Sequence, residues 1–271
     1  MKLFKRLFEF YLLSSLHVSF AVWALYKVSF VYSDSIGSLY IDGLVVTSSV
    51  VGYNLIKYGQ IFYNKKLLIS KSIVFITFLS FLIGLWCFFN VHLLTQVIFI
   101  ITFILVIFYL IPNPSSNKNL RNSYGIKIFL VAFSWTLVSH LSLISNLSYS
   151  KFDQNIIIAI QRFIFVLVAT IPFEIRDINL DKSQLGTLPQ RFGIFKSKLL
   201  GIVLLILNTY LLFFILDINI KFKIIEFFIY LILGYLLVVS SINKGLNFTR
   251  FWIEGIPIVW IFILSTLSQI F

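Results

Sequence analysis

Residues 72–111 read SIVFITFLSFLIGLWCFFNVHLLTQVIFIITFILVIFYLI, forty positions without one Asp, Glu, Lys or Arg. Two apolar runs, 72–90 and 93–111, meet at Val91 and His92. Each run has the roughly 20 residues that a helix needs to cross the hydrocarbon core. Both are too long and too evenly apolar for strands, and a helix satisfies its own backbone hydrogen bonds, as lipid demands. The stretch predicts two membrane spans joined by a tight turn.

Seven more runs of the same kind flank this pair, at 10–32, 38–62, 125–147, 156–175, 198–216, 224–242 and 251–270. The composition agrees. The chain is 59% hydrophobic with 31 Phe, and only 12% charged, against roughly 25% in soluble domains. A soluble fold of 271 residues could not hide that much apolar surface. No hydrophilic stretch is long enough to stand as a separate domain. The expectation is therefore one domain over 1–271: an all-α, multi-pass membrane bundle of about nine helices.

The net charge of +12 and the pI of about 9.7 could point to nucleic acid. The basic residues instead fall between apolar runs, so no nucleic-acid partner is expected. Their distribution gives an orientation. Segments on one side carry seventeen Lys and Arg, among them Lys2, Lys57, Lys118, Arg176 and Lys244. The opposite segments carry five: Lys27, Lys151, Arg162, Lys221 and Lys223. The two sets alternate strictly over nine spans and would be scrambled over eight or ten. The amino terminus is expected to be cytoplasmic and the carboxyl terminus external, in a cell membrane such as a bacterial inner membrane. The first apolar run is longer than a signal-peptide core and lacks a small-residue cleavage site, so it is expected to remain as a span. The single cysteine, Cys87, excludes an internal disulfide and a cysteine-based zinc site.

Ten acidic residues exist, and three fall within eight positions: Glu174, Asp177 and Asp181. They lie in PFEIRDINLDKSQLGTLPQRFG, residues 172–193, at the cytoplasmic end of the sixth run. The i, i+3, i+7 spacing puts all three carboxylates on one helix face. Like charges on one face at a membrane boundary repel, and desolvation adds to the cost. A divalent cation relieves both, and magnesium suits a few carboxylate oxygens plus phosphate. The alternative is that the acids pair with Arg176, Lys182 and Arg191.

The whole segment resembles the second aspartate-rich motif of the UbiA-type membrane prenyltransferases. That motif is D-x-x-D-x-x-x-D followed by a Thr-Leu-Pro segment, matched here by Glu174, Asp177, Asp181 and Thr187-Leu188-Pro189, with Glu in the first place. The resemblance implies a nine-helix intramembrane enzyme. It would use Mg²⁺ held by Glu174, Asp177 and Asp181 and transfer a prenyl group from a prenyl diphosphate to a lipophilic acceptor. The family's other motif, N-x-x-D-x-x-x-D at the end of the second span, is degenerate. Asn54 fits its first position, but Lys57 and Ile61 stand where the acids belong, and no acid lies between Asp42 and Asp153. The resemblance makes Asn54 a diphosphate-positioning residue and lets Lys57 replace part of the missing ion's charge. The other reading of Lys57 is a cytoplasmic charge on a snorkelling stem. Lys118 and Arg121, in the loop after the fourth run, are weaker candidates for diphosphate contact.

Two further functions stay open at this stage. A family member that lost turnover would bind or scaffold lipid. A small transporter would usually show spans broken by Gly or Pro in related halves, and only Pro172 and Pro257 fall inside runs.

Overall fold

The computed structural model describes residues 2–33, 38–64, 70–111, 125–146, 152–180 and 185–270. Among these the chain is entirely helical. The elements are α1 (Lys2–Leu13), α2 (Leu16–Ser33), α3 (Leu39–Asn64), α4 (Lys71–Phe89), α5 (Leu93–Leu110), α6 (Lys127–Ser139), α7 (Phe152–Asp177), α8 (Leu188–Tyr210), α9 (Ile220–Val239) and α10 (Ile256–Ile270). A 3₁₀ turn follows α6, and π turns at Leu211–Ile215 and Phe248–Ile253 extend α8 and precede α10.

Seven helices are long and apolar enough to cross a membrane. Counting the bent pair α1–α2 as one span gives eight, short of the expected nine, and two of the expected runs take different forms. The first is broken: α1 and α2 meet at 59°. Lys5, Arg6 and Glu9 fall on one face of α1 and Leu3, Phe4, Leu7, Phe8 and Phe10 on the rest. A face of three ionisable residues does not suit hydrocarbon, so α1 suits the interface plane. The fifth is short. Together with the 3₁₀ turn, α6 makes an apolar helix over Lys127–Leu143, and between the two lies buried His140, whose Nε2 is 2.8 Å from the Asn155 carbonyl.

Lipid is as apolar as a protein core, so burial alone does not draw helices together; close packing and interhelical polar contacts do. Glycines supply the first between α3 and α4. A Cβ at Gly43 would lie 2.8 Å from Cys87 Sγ, and one at Gly84 would lie 3.0 Å from Thr47 Oγ1. Cys87 is thus a packing residue. Polar contacts supply the second around α7. Asn208 Nδ2 donates to the Gln161 carbonyl at 3.1 Å, tying α7 to α8.

Arg162 is the larger surprise. The alternation of charges places it among the external loop cations, yet it is fully buried inside the bundle. Its Nη1 donates to Glu226 Oε1 at 2.9 Å and its Nε to Ser29 Oγ at 3.2 Å. Tyr230 donates to the same Glu226 oxygen. The guanidinium lies 4.6 Å from the Trp260 ring centre and 5.1 Å from that of Tyr32. One cation therefore joins α2, α7, α9 and α10. Lys27, also counted as an external charge, pairs with Asp42 at 2.7 Å between α2 and α3.

Removing one partner of a buried ion pair leaves the other charge uncompensated, at a cost of about 3–5 kcal/mol. Glu226→Ala should lower the thermal midpoint of the detergent-solubilised protein well below that of the wild type. The double variant R162L/E226L should recover most of the loss, because no charge is left stranded.

Candidate functional site

The carboxyl end of α7 is built around backbone groups that need partners. The first turn of a helix has four N–H groups with none of its own. At α8 two of these needs are met locally. Glu174 Oε2 accepts the Leu188 N–H at 3.0 Å, and Gln190 Oε1 accepts the Thr187 N–H at 3.1 Å. A carboxylate at a helix N-terminus is also favoured by the helix dipole. Pro189 sits in the first turn, where a missing N–H costs nothing. Gly193, with φ 80° and ψ 162°, then kinks α8, a conformation that needs glycine. The Thr-Leu-Pro segment is thus the start of a helix fastened to α7 through Glu174. The Gly125 N–H donates to the Leu185 carbonyl at 2.8 Å, which brings the entry to α6 to the same place.

Asp177 lies one turn beyond Glu174. Arg176 clasps it with two bonds, Nε to Oδ1 and Nη2 to Oδ2, both 2.6 Å. Nη1 of the same guanidinium donates to Thr249, tying α7 to the π turn before α10. The alternative pairing of Asp177 with Arg176 is therefore what the structure shows. Asp181 lies outside the described residues, as do Lys118 and Arg121. Among the described residues no three His, Cys, Asp or Glu side chains converge as a metal cluster.

Asn54 and Lys57 face the break between α1 and α2. The last carbonyls of a helix need outside donors, and α3 supplies three. Lys57 Nζ donates to the Leu12 carbonyl at 3.1 Å, Tyr58 Oη to that of Leu13 at 2.8 Å, and Asn54 Nδ2 to that of Ser14 at 3.1 Å. Asn54 Nδ2 also reaches Thr77 Oγ1 at 2.8 Å, and its Oδ1 accepts from Ser15 Oγ at 2.7 Å. The 54, 57, 58 spacing puts all three donors on one face of α3, and a cation suits the carbonyl end of a helix. An Asp at position 57 would repel those carbonyls. The degenerate motif therefore has a structural occupation, the capping of α1.

A cavity of about 570 Å³ runs through the bundle from this end, within the usual range for ligand sites. Glu174, Asp177, Lys127 and Glu254 lie in its wall at the polar end. Tyr53, Trp135 and Phe173 follow, and Leu44, Phe88 and Phe99 line the apolar end. Trp135 Nε1 donates to Tyr53 Oη at 2.5 Å. The wall includes one face each of α4 and α5. These consecutive helices pack on α3 and α6 and hardly on each other, so the cavity opens sideways towards lipid between them. Neither Asn54 nor Lys57 lies in its wall.

Two wall residues escaped the motif search. Tyr53 looks like one more aromatic in a Phe-rich chain. Glu254 could have been found, because an ionisable residue inside an apolar run marks a functional site by default. It lies within electrostatic reach of Lys57, Arg250 and Arg176.

No protein-family model matches the sequence, and the curated proteins contain no match to it. Two solved structures do match in fold. One is a UbiA homolog from Archaeoglobus fulgidus, with a TM-score of 0.59 at 13% identity, over 93% of this chain and 96% of that one. The other is a digeranylgeranylglyceryl phosphate synthase, with a TM-score of 0.58 at 14% identity, over 96% of this chain and 98% of that one. The chain is thus a multi-pass, all-helical membrane protein. Its fold is that of the UbiA-type proteins, from the first helix to the last.

If Asn54 and Lys57 hold α1 down, Asn54→Ala should speed limited tryptic cleavage at Lys5 and Arg6 several-fold in the intact protein, while the span helices stay protected. Unchanged cleavage kinetics would contradict the capping role.

Proposed function

We propose that the chain is a UbiA-type prenyltransferase, moving a prenyl group from a prenyl diphosphate to a lipophilic acceptor at the cytoplasmic side of its membrane. The observation that carries this reading is the cavity. It is apolar along its length, open to lipid, and ends at two carboxylates of the acid motif, Glu174 and Asp177. A prenyl diphosphate has the same polarity profile, a long apolar tail and a highly charged head. The tail would lie among Phe88, Phe99 and Trp135, with the head beside Asp177.

Magnesium belongs to this proposal in a reduced form. The residues do not fit an ion on α3, since Asn54 and Lys57 are committed to α1 and no acid stands at position 57 or 61. A single ion held by Asp177 and Asp181 suits the remaining donor chemistry, and when bound it would neutralise charge on the departing diphosphate. Lys127 in the cavity wall and Arg250 near Glu254 add positive charge at the polar end. The water-poor cavity strengthens each of these contacts. The expected orientation, with the amino terminus and the motif in the cytoplasm, places the polar end where soluble diphosphates are made.

A second reading is favoured by the clasp of Asp177 by Arg176: a protein of this fold that binds prenyl lipid without turnover. Labelled geranylgeranyl diphosphate separates the two. The proposed enzyme should transfer label into lipid in the presence of Mg²⁺, and Asp177→Asn should reduce the rate at least about 100-fold. Binding of the diphosphate with no transfer at any Mg²⁺ concentration would favour the second reading.

The cavity can be tested separately. Gly52 lies in its wall, and a Cβ there would meet no atom within 4 Å. Gly52→Phe should therefore fill the cavity without lowering the thermal midpoint and should abolish binding of geranylgeranyl diphosphate. Normal binding would place the tail elsewhere.

A further inference from the structure

Glu254 is the acid in the cavity wall that the fold leaves uncommitted. Glu174 accepts the Leu188 N–H, and Asp177 accepts from Arg176. Among the described residues Glu254 makes no side-chain hydrogen bond and no ion pair, although its carboxylate faces the cavity beside Tyr53. Its nearest competitor for pairing, Lys57, gives its Nζ to the Leu12 carbonyl. Lys57, Arg250 and Arg176 act on it only through the field they set up. A carboxylate in an apolar chamber needs a hydrogen-bond donor, and the described residues provide none, so the donor should come with the occupant. A prenyl diphosphate brings acceptor oxygens and no such group. The second substrate must bring it.

We propose that Glu254 binds the hydroxyl of a lipophilic acceptor and takes its proton during prenyl transfer. This rests on the prenyltransferase reading and adds to it the acceptor's class and the fate of its proton. The allylic C–O bond of the donor breaks, and its electron pair leaves with the diphosphate. The acceptor oxygen forms the new bond to the same carbon, and its proton passes to the Glu254 carboxylate. Glu254 directly follows the π turn before α10 and shares the cavity wall with Tyr53 of α3. Donor and acceptor would thus meet between Asp177 and Glu254.

The test uses the full chain in lipid nanodiscs, with labelled geranylgeranyl diphosphate as donor and a lipid extract of the native cells as acceptor source. Glu254→Gln should bind the labelled donor as tightly as the wild type but transfer it at least about 100-fold more slowly, the scale of a lost general base. Glu254→Asp should keep an intermediate rate. Equal transfer by Glu254→Gln and the wild type, with Asp177→Asn inactive, would overturn the role of Glu254 and leave the prenyltransferase reading standing. Loss of donor binding in Glu254→Gln would also overturn it, by making the residue part of the donor site. Absence of transfer by the wild type would overturn both.

Discussion

A backbone polar group exposed to lipid must find a partner within the protein, and the breaks in these helices are where that requirement is felt. At Ser14 and Ser15, where Ser15 has φ 63°, three side chains of α3 cover the carbonyl end of α1. At the start of α8, Glu174 and Gln190 cover N–H groups. Beside the π turn before α10, Arg176 reaches Thr249 and His17 Nε2 lies 3.1 Å from the Phe251 carbonyl. All of these lie at one end of the bundle. The scarce polar residues of a chain that is 12% charged are concentrated there because the backbone is irregular there.

The same concentration makes the end chemically useful. Once the backbone has been served, the remaining groups face the cavity: Asp177 with its arginine, Lys127, and the free carboxylate of Glu254. The opposite half of the bundle uses its charges differently. Arg162 and Glu226 pair with each other and bind four helices together, with both side chains wholly buried. That arrangement holds the walls of the cavity in place and contributes no group to its lining.

Much of the fold is legible in the sequence, because membrane helices announce themselves through unbroken apolar length. The pair 72–90 and 93–111 falls almost residue for residue on α4 and α5. The first span, expected over 10–32, takes in the end of α1, because apolar length alone does not show the turn at Ser14 and Ser15. The amphipathic pattern of α1, with a period of 3.6 residues, separates it from α2. Counting Arg162 as a loop charge fails for a different reason. Counting loop charges assumes that every cation near a span end is in water, and a partner on another helix breaks that assumption. At the site, the acid motif and the helix start after it can be read locally. The capping of α1 by Asn54 and Lys57 cannot, because it joins residues about forty positions apart. Glu254 becomes interesting only once the segment before α10 is seen to share the cavity wall with residues of α3 and α7.

The most direct measurement is a structure of the full chain in lipid with Mg²⁺ and a non-hydrolysable thiolo analogue of geranylgeranyl diphosphate. The prenyl tail should lie along Tyr53, Trp135 and Phe99, with the diphosphate at Asp177 and the carboxylate of Glu254 free for a second molecule. An analogue found outside the cavity, or seated in it with its diphosphate pointing away from Asp177, would contradict the assignment of this cavity as a prenyl-donor site.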